Sequence, residues 1–140
     1  MAAIRVLIVD DVPQVREDLH TVLMLAGQAN KDQSANEIHS FKEEGLIEIV
    51  GEAENGLQAI SQVEILQPEV ILMDLEMPVL NGYEATRQIK TLYPTCRVLA
   101  LSVHDYEAAR QKAFQAGVDD FIVKGVPVET LVQTILEKEG

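Results

Sequence analysis

The fold is decided by the stretch IRVLIVDD, residues 4–11, in which an apolar run ends in two acidic residues, Asp10 and Asp11. Three further short apolar runs also end in a polar residue: EVILMD in Asp74, CRVLALS in Ser102 and FIVK in Lys124. Short runs rich in Val, Ile and Leu, separated by helix-like segments, indicate buried parallel strands. The carboxyl ends of such strands line the ligand crevice of an open α/β sheet, so we expect these polar residues to lie together.

Three acids, a hydroxyl and an ammonium at one sheet edge have a shared chemistry. A hard divalent cation takes carboxylate oxygens as ligands, and fixed donors and positive charge stabilise phosphoryl oxygens. The sequence therefore predicts a phosphorylation site at this edge.

Length and composition exclude several classes of protein. At 140 residues the chain fits a single domain, and an apolar content of 47% indicates a packed globule rather than disorder. Lys and Arg number 11 against 23 Asp and Glu, which gives a net charge of −12. So acidic a domain repels the phosphate backbone, and we expect no nucleic acid contact by this domain itself.

The chain has no sequence feature of a membrane or exported protein. Its longest apolar runs are about six residues, far short of a membrane span. Residues 1–5 lead into the first strand without a cleavable apolar segment, and the single cysteine, Cys96, cannot form an internal disulfide. We therefore expect a cytoplasmic protein without membrane contact.

The order of elements predicts five βα units. The strands cover about residues 5–9, 47–53, 70–73, 97–101 and 121–123. Helix one begins near Pro13 and carries an apolar stripe typical of a helix that packs on a sheet. Alternating strands and helices give a three-layer, doubly wound α/β sandwich around a parallel sheet.

The connection between helix one and strand two is unusually long. Residues 27–45 number 19, whereas such connections usually take about 2–6 residues. A solvated loop or an extension of helix one is the leading interpretation. A short extra helix over about residues 37–44 and a partner-specific contact surface are the alternatives.

This set of strand-end residues, with MDLEMPVLNGYE around Asp74, resembles the CheY-like receiver domain of two-component response regulators. The resemblance implies a flavodoxin-like five-stranded sheet of order 2-1-3-4-5 and one receiver domain over residues 1–140. The 63-residue separation of Asp11 from Asp74 is longer than usual in the family, and the stretch 27–45 accounts for the excess.

By this resemblance Asp74 is the phosphoacceptor and Mg²⁺ is the cofactor. Asp11 and Asp74 are implied to bind the ion directly, together with the backbone carbonyl of Glu76, while Asp10 acts through a water. A cation would offset the repulsion that opposes ionisation of three neighbouring acids. The alternative for the acid pair is N-capping of the helix that begins near Pro13, which leaves Asp74 unexplained.

The remaining site residues also take their roles from the resemblance. Lys124 and Ser102 are implied to hold phosphoryl oxygens, with a surface lysine and a loop serine as the alternatives. Ser102 and Phe121 are implied to form a switch, in which the hydroxyl moves and the ring fills the space, unless Phe121 is only a core residue. Glu76 and His104 are implied to flank the site and gate water, although His104 also fits an exposed loop histidine.

The resemblance implies a phosphoacceptor switch rather than an enzyme, with a sensor histidine kinase as partner and homodimer formation on phosphorylation. The stretches KGVPVETLV and EIVGEAENG resemble the NarL/FixJ-type subfamily, whose receivers are usually joined to a C-terminal DNA-binding domain. We therefore expect a receiver cut from a longer transcription regulator, with a stand-alone signalling protein as the alternative.

Two other classes share the fold or the chemistry. A flavodoxin-like protein for a flavin or nucleotide is disfavoured because the first βα loop, DDVPQV, lacks the glycines that cradle a phosphate. A phosphohydrolase of the haloacid dehalogenase type needs an aspartate two residues after its nucleophile, and here Leu75 and Glu76 follow Asp74.

Overall fold

The computed structural model describes residues 3–34 and 46–137, with the backbone alone for residues 27–34. The strands are β1 (Ile4–Val9), β2 (Ile47–Ala53), β3 (Val70–Asp74), β4 (Arg97–Ser102) and β5 (Asp120–Val123). The helices are α1 (Pro13–Ser34), α2 (Gly56–Leu66), α3 (Gly82–Leu92), α4 (Glu107–Ala116) and α5 (Val128–Leu136). Within these described ranges, none of the helices has both the length and the apolar character needed to cross a membrane.

All five strands pair in parallel, in the order β2-β1-β3-β4-β5. Every residue of the central strand β3 is buried, as expected of an apolar run covered on both faces. The predicted doubly wound α/β fold and its strand order are confirmed. The order reverses between β1 and β3, so the residues that end these strands border the crevice where α/β proteins bind ligands.

A hydrophobic core packs against each face of the sheet. Helices α2, α3 and α4 cover one face, where Ala59, Ile89 and Ala113 are fully buried. Helices α1 and α5 cover the other face, where Leu23 and Ile135 are fully buried. Full burial of one Leu or Ile side chain contributes about 1.5–3 kcal/mol, so both layers hold the strand ends in fixed positions.

The loop from β3 to α3, residues 75–81, is tightly built. Asn81 caps α3, because its side-chain oxygen accepts a hydrogen bond from the N–H of Glu84 at 2.9 Å. Gly82 is required, since a Cβ there would lie 2.2 Å from the carbonyl oxygen of Asp74. Val79 has a φ of +72°, a left-handed conformation that costs a β-branched residue about 1–3 kcal/mol. The backbone that follows Asp74 is therefore closely constrained.

Helix α1 is longer than its apolar stripe indicated. It runs to Ser34, so residues 27–34 of the predicted connection extend helix one, as one form of the leading interpretation held. The short helix predicted over about residues 37–44 lies outside the described residues.

Candidate functional site

Three carboxylates meet at the carboxyl edge of β1 and β3. One oxygen from each of Asp10, Asp11 and Asp74 lies within 4.8 Å of the others. Asp10 and Asp74 are buried, with 1% and 5% of their surface exposed, whereas Asp11 is half-buried. The fold thus brings together the acids that the sequence places at two separate strand ends.

Lys124 joins this cluster from the end of β5. Its Nζ lies 3.1 Å from Oδ2 of Asp10 and 3.6 Å from Oδ1 of Asp74. The backbone N–H of Lys124 donates to the carbonyl of Ser102 at 2.8 Å, which ties the ends of β4 and β5 together. The ammonium is therefore held against the acids by the sheet itself.

The cluster carries more negative charge than one lysine can balance. Burial, and then the neighbouring Asp10 carboxylate, raise the pKa of Asp74 to about 6 against the opposing effect of Lys124. Burial lowers the pKa of Lys124, but its hydrogen bond to Asp10 and the charges of both buried acids outweigh this and raise the pKa overall. An additional cation bound at this cluster would offset the excess negative charge.

The oxygens of the buried acids are engaged to different extents. Oδ1 of Asp10 accepts a hydrogen bond from the N–H of Val12 at 2.9 Å, and its Oδ2 accepts one from Lys124. Oδ1 of Asp74 accepts from the N–H of Glu76 at 3.2 Å. Both oxygens of Asp10 therefore accept hydrogen bonds from protein donors.

Ser102 is buried at the end of β4, the strand next to β3, but its hydroxyl bonds its own loop. Its Oγ accepts from the N–H of His104 at 3.0 Å and lies 3.3 Å from the His104 carbonyl, to which it donates. The His104 ring in turn pairs with Glu76, with Nε2 3.2 Å from Oε1. The two predicted flanking residues thus contact each other across the loops that follow β3 and β4.

Phe121 is buried in the core, with 6% of its surface exposed. The predicted switch has the ring fill space that Ser102 leaves, yet the ring is already inside while Ser102 still bonds His104. The side chain therefore fits the core-residue alternative, and any switching role has to act through contacts that Phe121 makes.

Two arginines that contact these residues were not predicted. Nη1 of Arg16, on α1, donates to the carbonyl of Asp10 at 2.7 Å, and its Nε pairs with Glu52 of β2 at 3.0 Å. The guanidinium of Arg110, on α4, lies 4.7 Å from the centre of the Phe121 ring. Both contacts join side chains of different elements, which the sequence alone does not place against each other. The position of Arg16 shortly after the acid pair is the one available hint.

The sequence matches the response regulator receiver domain family over residues 30–136, which is more than half of the chain, and the chain belongs to this family. The matched region includes Asp74, Ser102 and Lys124. It begins after Asp10 and Asp11, so the geometry of the sheet edge is what joins these two acids to the site.

Two relatives differ in how much of their length the chain covers. The transcriptional regulatory protein DegU of Brevibacillus brevis is 31% identical over 132 residues, which are 94% of this chain and 48% of that protein. The chemotaxis protein CheY of Thermotoga maritima is 30% identical over 94% of this chain and 93% of that protein. The chain thus spans about half of DegU and nearly all of this CheY.

A solved receiver domain shares this fold. The signal receiver domain of NarL from Mycobacterium tuberculosis superposes with a TM-score of 0.80 at 27% identity, covering 97% of this chain and 95% of that one. The predicted NarL/FixJ-type subfamily is consistent with this similarity.

Proposed function

We propose that Asp74 accepts a phosphoryl group from a sensor histidine kinase in a Mg²⁺-dependent reaction. The observation that carries this proposal is a buried carboxylate at the end of β3, with two acids around it and the Lys124 ammonium 3.6 Å away. Phosphoryl transfer depends mainly on positioning and electrostatic stabilisation, and this cluster supplies both. The domain then acts as a phosphoacceptor switch and not as an enzyme with a separate substrate.

Asp11 and Asp74 would hold Mg²⁺, together with the backbone carbonyl of Glu76. Carboxylates are the hard oxygen ligands that this ion prefers. Burial, and then the charge of Asp10, raise the pKa of Asp74, and a bound cation would stabilise its charged form. The engagement of both Asp10 oxygens by Val12 and Lys124 supports an indirect, water-mediated role for Asp10. Bound there, the ion would neutralise charge on the acids and on the phosphoryl oxygens.

The other strand-end residues have separate roles in the transfer. The carboxylate of Asp74 attacks phosphorus as the bond from phosphorus to the histidine nitrogen of the kinase breaks, which leaves an aspartyl phosphate. Lys124 then holds one phosphoryl oxygen, and Ser102 donates to another. For this, the Ser102 side chain must rotate away from His104, to whose carbonyl its hydroxyl donates. The pair formed by Glu76 and His104 limits the approach of water to the phosphoryl group.

Incubation with acetyl phosphate and Mg²⁺ tests this function without a kinase. We expect the intact mass to rise by one phosphoryl group, and a chelator to slow the reaction strongly, because the acids repel an anionic donor unless a cation is present. A protein that gains no phosphoryl group under these conditions, or gains it equally well with the chelator, would contradict the proposal.

The two acids that follow β1 should differ in their contribution to Mg²⁺ binding. Asp11→Ala removes a direct ligand and should abolish binding, whereas Asp10→Ala should weaken it by a smaller factor. NMR shifts during a Mg²⁺ titration measure both affinities. Equal losses in the two variants would contradict the division into a direct and a water-mediated acid.

We propose transcriptional control as the output, exerted by a DNA-binding domain beyond this chain. DegU is named a transcriptional regulatory protein, and the chain spans about half of its length. The coverage of nearly all of the Thermotoga maritima CheY supports the alternative of a stand-alone domain that acts by protein contact. In either case we expect a cytoplasmic protein whose phosphorylation alters self-association, with no nucleic acid contact by the acidic receiver itself.

Activation should change the surface formed by α4, β5 and α5. Beryllofluoride imitates the phosphoryl group, and a ligand that binds one arrangement better shifts the population towards it. Amide exchange with and without beryllofluoride and Mg²⁺ should therefore differ over residues 103–136. Changes confined to the loops around Asp74 would indicate a receiver that binds the group without switching.

A further inference from the structure

Arg110 contacts two separate parts of the proposed switch. The carbon of its guanidinium lies 4.7 Å from the centre of the Phe121 ring, on β5. Its Nε donates to Oδ1 of Asp105 at 3.0 Å, in the loop between β4 and α4. A cation over an aromatic face is attracted by the ring, and the carboxylate fixes where that cation lies. Arg110 therefore joins α4 to this loop and to β5.

The same loop is anchored to the phosphorylation site at its other end. The N–H of His104 donates to Ser102, and the His104 ring pairs with Glu76. When the Ser102 side chain rotates so that its Oγ reaches a phosphoryl group on Asp74, the part-buried N–H of His104 loses its acceptor. Leaving such a donor unsatisfied is unfavourable, so the loop has to rearrange, and Asp105 is its next residue.

Phe121 cannot respond to the loop rearrangement by moving into the core, because its ring is already buried while Ser102 bonds its own loop. One contact of the ring that can change is that with the half-buried Arg110. We propose that Arg110, held by Asp105, is the positioning residue that couples Asp74 phosphorylation to α4 and β5. It stabilises the unphosphorylated arrangement of the loop. This inference rests on the proposed function of Asp74.

Beryllofluoride binding in the presence of Mg²⁺, followed by NMR on the full chain, tests the coupling. Arg110→Ala removes both contacts and should tighten binding by about two- to fivefold, because the competing arrangement loses its cation–π contact. Arg110→Lys keeps the charge but not the planar group bonded to Asp105. Its affinity for beryllofluoride should lie between those of the unmodified protein and Arg110→Ala. As a control, Arg87→Ala removes an exposed, ion-paired arginine of α3, and this variant should bind beryllofluoride as tightly as the unmodified protein does.

A double-mutant cycle separates coupling from a general effect of charge. Phe121→Leu removes the ring, and in this background Arg110→Ala should lose most of its effect on binding. Asp105→Asn should tighten beryllofluoride binding in the otherwise unmodified protein. This second variant tests the coupling even if Phe121→Leu does not fold. Unchanged or weaker binding by Arg110→Ala, or a full effect without the ring, would overturn the proposal.

The unmodified protein distinguishes this failure from a failure of the proposed function. If it binds no beryllofluoride, the phosphoacceptor role of Asp74 fails and the coupling fails with it. If it binds normally while Arg110→Ala matches Arg87→Ala, only the role of Arg110 is wrong.

Discussion

Asp74→Asn should remove phosphorylation by acetyl phosphate, with a fall in rate on the order of 10³-fold or more. The amide oxygen is a far weaker nucleophile than the carboxylate. Asp10 has both oxygens engaged by Val12 and Lys124, so it cannot replace the missing nucleophile. Intact-mass measurement over a time course, with Mg²⁺ present, reads this loss directly.

A matched control separates loss of the nucleophile from loss of charge. Glu84→Gln neutralises a half-exposed acid at the start of α3, shortly after the same loop, and should be labelled as fast as the unmodified protein. Labelling of Asp74→Asn at the unmodified rate would place the phosphoryl group on another side chain. Circular dichroism of both variants shows that the comparison is made between folded proteins.

The sequence was sufficient for the fold and for most of the site because both depend on the same short apolar runs. A run that ends in a polar residue fixes that residue at the sheet edge, and so strand-end position alone places Asp10, Asp74 and Lys124 together. The strand limits were less certain: Asp74 and Ser102 are the last residues of β3 and β4 and do not follow them.

What the sequence could not predict depends on contacts between side chains of different elements. The hydroxyl of Ser102 can bond its own loop or a ligand, and a strand-end position fits both. The contact of Arg110 with Phe121 joins a helix to the strand after it and leaves no periodic pattern. The end of α1 was underestimated because its apolar stripe ends near Ala26, while the helix continues to Ser34.

Without Mg²⁺, Asp74→Asn should also make the folded protein more stable at neutral pH, by up to about 3 kcal/mol. Burial and Asp10 raise the pKa of Asp74 to about 6 in the folded state, from an ordinary value of 3.8. Between these values the folded protein holds more protons than the unfolded chain, so its stability falls as pH rises from about 4 to about 6. The uncharged amide in Asp74→Asn does not titrate, so this variant does not lose stability as the pH rises.

Urea unfolding of both proteins at pH 4 and pH 7 measures this penalty. The difference in free energy of unfolding should be small at pH 4, where Asp74 is protonated in the folded protein, and large at pH 7. Mg²⁺ at pH 7 should stabilise the unmodified protein far more than Asp74→Asn, because the ion binds the folded acid cluster. Glu84→Gln should show neither effect. Equal stability of Asp74→Asn and the unmodified protein at pH 7 would mean that Lys124 already balances the cluster, and the electrostatic case for a cation at this site would then fail.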